Sequence, residues 1–127
     1  MAWIRSTSKS VEEVVSALEE AVPRHGFGIL HTYCFQETLR SKGFDLAHPC
    51  RVLEICSPAQ AAEVLRADMK VGLALPCRIA VFEDEGGTRV GMLEPTALLK
   101  LVSSAPAVAA AAEEVERRMT AILEEVL

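Results

Sequence analysis

Four side chains stand where this sequence could do chemistry: Cys56, Cys77, Glu54 and His31. Cys56 closes an apolar run, and Ser57-Pro58 follows it directly. Cys77 ends Leu75-Pro76-Cys77 and opens the next apolar run. If the two runs are neighbouring antiparallel strands, the end of one meets the start of the other and the sulfurs approach. A helix N-terminus after Cys56 would favour its thiolate. The pair then reads as a redox couple, a thiolate nucleophile or half of a soft-metal site. The plainer alternative is two buried thiols packed as small hydrophobes. Glu54 shares a strand face with Cys50 and Cys56, and a carboxylate there needs water or a partner such as Arg51 or Arg78. His31 sits mid-strand among aromatic residues, as a ligand or as a satisfied imidazole.

Other constellations are weaker. Cys34 and Cys50 lie at the facing ends of two strands, near His48, where a disulfide or two unrelated thiols are both open. His25 falls in a helix C-terminal turn, where positive charge suits the dipole. No CxxC spacing occurs, so a zinc ribbon or thioredoxin motif is excluded and no metal site is expected. There is no phosphate-binding glycine loop, since Gly86-Gly87 reads as a hairpin, and neither GxSxG nor HExxH is present. No residue is assigned a catalytic role and no cofactor is named.

These side chains need elements to position them. Trp3 to Thr7 is a short candidate strand. Ser10-Val11-Glu12-Glu13 is a capping box, followed by Val11, Val14, Val15, Leu18 and Val22 on one helical face. Pro23 and Gly26 end that helix. Phe27, Ile29, His31, Tyr33 and Phe35 alternate as one face of a strand. A polar connection from Gln36 to Pro49 holds one short helical turn, and Arg51 to Cys56 is the next strand, with Leu53 and Ile55 on one side. Ser57 caps a short second helix, Pro58 takes its first position, and Gln60 completes a second box. That turn would hold the Cys56 sulfur near free amides. Cys77 to Glu83 and Thr88 to Leu93 form a hairpin around Asp84-Glu85-Gly86-Gly87. Pro95 restarts helix. Pro106 begins the longest helix, whose stripe is Val108, Ala112, Val115, Met119, Ile122 and Val126. Outside it, Glu113 with Arg117 and Glu114 with Arg118 fall at favourable four-residue spacing. The expected architecture is α+β: a two-layer sandwich in strand–helix–four-strand–helix order, an antiparallel sheet with helices on one face.

The chain of 127 residues suits a single domain, and a net charge of −5 argues against a nucleic-acid binder. No apolar run approaches the ~20 residues of a membrane span, and Met1 to Arg5 shows no signal peptide, so a cytoplasmic place is expected. Asn is absent, only Gln36 and Gln60 carry the other labile amide, and Arg outnumbers Lys about two to one, which points to a thermophile.

Gly26-Phe27, Leu39, Lys42-Gly43, Cys56-Ser57-Pro58, Ala61-Ala62, Gly72-Leu73, Leu75-Pro76-Cys77 and Val81-Phe82-Glu83 run through nearly the whole chain. This pattern resembles domain-of-unknown-function family 302. The resemblance implies a TATA-binding-protein-like fold and no settled activity. The chain departs from the family at Ser57, where Asn is usual. Two functional readings follow. One is a small-molecule ligand site or thiol chemistry at Cys56 and Cys77, with Glu54 and His31. The other is a non-enzymatic homo-oligomer that buries its open sheet face or its last helix, widened by Leu123 and Leu127, on a second copy.

Overall fold

The computed structural model describes residues Met1–Leu127. The elements run β1 (Ala2–Thr7), α1 (Val11–Arg24), β2 (Gly28–Cys34), α2 (Phe35–Ser41), β3 (Cys50–Cys56), α3 (Pro58–Ala67), a 3₁₀ turn (Met69–Leu73), β4 (Cys77–Asp84), β5 (Gly87–Leu93), α4 (Pro95–Lys100) and α5 (Pro106–Val126). The strands form one antiparallel sheet in the order β1-β5-β4-β3-β2. This is the α+β architecture expected. The edge partner of β1, open in the sequence, is β5, with Trp3 opposite Met92.

Antiparallel partners share a sheet face. Leu53 opposite Ile79 and Val81 opposite Val90 therefore point one way. They meet Val14, Leu18 and Val22 of α1 and Met119, Ile122 and Leu123 of α5 in one buried cluster. Both long helices thus cover the same face. The first turns of α5, with Val108, Ala111 and Ala112, form a smaller cluster with Val64 of α3, Val71 and Leu99. Leu123 is fully buried and Leu127 packs on the main cluster, so the widened stripe of α5 is used within its own chain.

α1 starts at the expected box, Ser10 Oγ accepting from the Glu13 amide at 3.1 Å and Glu13 Oε1 from the Ser10 amide at 3.0 Å. The helix runs through Pro23 and ends at Arg24; Gly26, at φ 81°, turns the chain into β2. Pro23 is therefore inside the last turn, not its stop. In the β4–β5 hairpin only Gly87, at φ 101°, takes the positive φ expected of both glycines.

The alternation expected of β2 is broken. Ile29 faces Ile55 but His31 faces Glu54, so Leu30 is an extra residue in a β-bulge. Ile29 therefore points to the helices, while His31 and Tyr33 point to the uncovered face. A five-strand row Tyr33–Val52–Ala80–Gly91–Ile4 crosses that face.

Candidate functional site

The sheet and α5 leave a gap where β3 ends and α3 begins. β3 must stop at Cys56 because Pro58 has no amide hydrogen to give a ladder. In α3 Val64 is buried, while Ala61 and Leu65 remain half-buried. The result is a cleft of about 270 Å³, just below the usual range of small-molecule sites, about 300–1,000 Å³. Its walls include Phe27 and the bulged Leu30, Ile55 and Cys56, Leu75 to Cys77, Leu99, and Ala111, Ala112 and Val115 of α5. Thirteen of sixteen lining residues are hydrophobic; Ser57 and Gln60 supply the polar side chains.

Cys56 and Cys77 both line this cleft, in adjacent strands: Cys77 pairs with Ile55, one residue before Cys56. Both are free thiols. Cys77 retains some exposed surface, yet burial of its thiol pushes its pKa to about 11; nearby Cys56 acts the same way and Arg78 opposes it. At neutral pH Cys77 is a thiol, not a thiolate.

Glu54 and His31 lie elsewhere, on the uncovered face. Glu54 accepts from Tyr33 Oη at 3.0 Å and pairs with Arg78 at 3.4 Å. The carboxylate raises the Tyr33 pKa, first by the hydrogen bond and then by its charge. His31 sits edge-on to Tyr33 with ring centroids 4.4 Å apart. Arg51 takes the other face and pairs with Glu12 at 2.8 Å. The four residues named from sequence therefore form two pairs on different parts of the molecule. Cys34 and Cys50 are also free thiols; burial raises the Cys50 pKa, with Cys34 adding to it. His48 bonds Glu83, and His25 bonds Glu125, each at 3.0 Å.

The expected cap of α3 is not made. The Ser57 hydroxyl donates to Gln60 Oε1 and leaves the first-turn amides without a side-chain acceptor. Gln60 Oε1 also accepts from Arg118 Nη1 at 3.1 Å. The other end of Arg118 donates to the His25 carbonyl, and its guanidinium lies 4.9 Å from the Phe27 ring centre. Gly26 is needed here for a second reason: a Cβ would lie 2.6 Å from Arg118 Nη2. So Arg118 does not pair with Glu114; Arg117 takes that carboxylate at 2.6 Å, three residues away, and the Glu113–Arg117 pair does not form. Arg118 is the residue sequence reasoning missed. Its only signal was position, on α5 between the stripe and the exposed face.

The family model described as "Domain of unknown function DUF302" matches residues 3–126. The chain belongs to the DUF302 family. A crystal structure of an uncharacterized conserved DUF302 protein from Bacillus stearothermophilus is similar at 34% identity, covering 99% of this chain and 98% of that one, with a TM-score of 0.92. Comparison with curated proteins gives no match. Membership in DUF302 thus accounts for the fold and assigns no activity. No helix is long and apolar enough to cross a membrane.

Proposed function

We propose that this DUF302 protein binds a small, mainly apolar molecule in the cleft between α3, α5 and the ends of β3 and β4. The observation that carries this is the lining, apolar but for Ser57 and Gln60. Apolar concavities with few polar groups are the usual form of small-molecule sites. The neutral Cys77 thiol supports reversible binding over thiolate chemistry at that residue, because the thiolate is the nucleophile. Cys56 and Cys77 contribute soft wall surface. Titration with 1-octanol, followed by backbone amide shifts, tests the reading. Saturable shifts are expected at Leu30, Ala61, Leu65 and Val115, and Ala61→Leu, which narrows the cleft, should weaken them. Absence of saturable shifts up to the solubility of the alcohol overturns it.

A second reading is a module that pairs with another copy through the uncovered sheet face. Exposed Ile4, Tyr33 and Leu93 on that face support it. A strict monomer at high micromolar concentration, by sedimentation, removes it. A cytoplasmic place and a heat-adapted source remain part of this proposal; they rest on composition and on the Bacillus stearothermophilus neighbour.

A further inference from the structure

We infer that the Arg118–Gln60 hydrogen bond is the end stop of this cleft and sets the longest apolar chain it admits. This rests on the small-molecule reading and deepens it: the ligand is a slender chain selected by length. The wall that α5 gives the cleft is Ala111, Ala112 and Val115, residues three and four apart on one helical face. The next residue of that face is Arg118, which does not line the cleft, so the apolar wall ends there. Arg118 instead reaches α3: its Nη1 donates to Gln60 Oε1 at 3.1 Å, and Gln60 does line the cleft. So does Phe27, whose ring centre lies 4.9 Å from the guanidinium. Side chains of α5, α3 and the residue before β2 thus converge at this one end.

The two halves of the stop are held unequally. Arg118 is fixed by its bond to the His25 carbonyl and by its packing on Phe27. α3 is held lightly. Val64 is its one buried residue, no side chain caps its first turn, and Gln60 to Arg118 is the one hydrogen bond from a side chain of this helix to another helix. The buried Ser57 hydroxyl donates to the same Gln60 oxygen and so fixes which end of the amide faces Arg118. With the bond made, Gln60 stands at the cleft end; without it, neither that side chain nor the first turn of α3 is tied to α5 there. Size gives the limit. At roughly 30 Å³ for each water-sized atom, about 270 Å³ takes about nine heavy atoms, the size of 1-octanol. Arg118 also joins α5 to the end of α1 through His25, so the test reads chain-length selectivity and not stability alone.

Titration with the primary alcohols from 1-butanol to 1-decanol, followed by the Val115 amide shift, tests the stop. In the native chain affinity should rise about fourfold for each methylene that finds apolar wall, and stop rising near 1-octanol. Gln60→Met keeps the length of the side chain and removes the acceptor. Its affinities should go on rising through 1-nonanol and 1-decanol, a further gain of about tenfold or more. Gln60→Glu keeps an acceptor for Arg118 and should break where the native chain does. Arg118→Met, which loses the bond from its other end, should behave as Gln60→Met where it stays folded; Gln60→Met decides where it does not. No break in the native series, a break at the same or a shorter alcohol in Gln60→Met, or a break that moves equally in Gln60→Glu overturns this inference and leaves the cleft reading standing. Failure of every alcohol to bind overturns both.

Discussion

The Cys77 thiol gives a prediction that can be worked through from structure to assay. Its ordinary pKa is 9.0, and burial beside Cys56 takes it to about 11. At pH 8, about one thiol in ten would be ionised at the ordinary value and about one in a thousand at the raised one. Alkylation by iodoacetamide should therefore be about a hundredfold slower at Cys77 in the native protein than in the unfolded chain, before any steric shielding. The same shift links stability to pH. Below pH 9 both states keep the proton and nothing is lost. Between pH 9 and about pH 11 the unfolded chain releases the proton while the native protein holds it, so the unfolded state binds fewer protons and stability falls as pH rises. Two units at about 1.4 kcal/mol each make the loss about 3 kcal/mol by pH 11. Urea unfolding of native protein and Cys77→Ala at pH 8.5 and pH 10.5 isolates it, because other alkaline titrations are common to both. Cys77→Ala should show the shallower decline. Parallel declines, or alkylation of native Cys77 at the unfolded rate, would refute a buried neutral thiol. Half-buried Cys56, mapped in the same peptides, should react before Cys77.

Other consequences follow from the packing. Met119 is fully buried between α1 and the sheet, so Met119→Ala should cost about 2–4 kcal/mol in denaturant unfolding; a cost under about 0.5 kcal/mol would take it out of the core. Gly91→Ala should cost about 1–3 kcal/mol, because the new Cβ would meet the Trp3 carbonyl oxygen at 2.7 Å; an unchanged melting temperature would mean β1 yields freely. Ser10→Ala removes the acceptor of the Glu13 amide and should cost about 1 kcal/mol, read as a lower unfolding midpoint at unchanged slope.

Much of the fold could be read from local pattern. The Ser10 box, the valine stripe of α1, the Leu53–Ile55 face and the α5 stripe all appear where expected. Caps and periodicity depend on residues within a turn or two, so sequence carries them directly. Cys56 and Cys77 were likewise legible as neighbours, because a strand end and the next strand's start meet in an antiparallel sheet. What tertiary structure alone decided involves competition between distant groups. Ile29 and His31 sit two apart and should share a face; pairing with β3 inserts a bulge at Leu30, puts them on opposite faces and turns Leu30 into the cleft. Glu114 had both Arg117 and Arg118 within reach along one helix. Arg118 instead bonds Gln60 and the His25 carbonyl, half-buried partners distant in sequence that only folding brings to it. The cleft itself is a volume between α3, α5 and the sheet. A one-dimensional pattern specifies which residues turn inward, but the space they leave unfilled depends on how the elements cross.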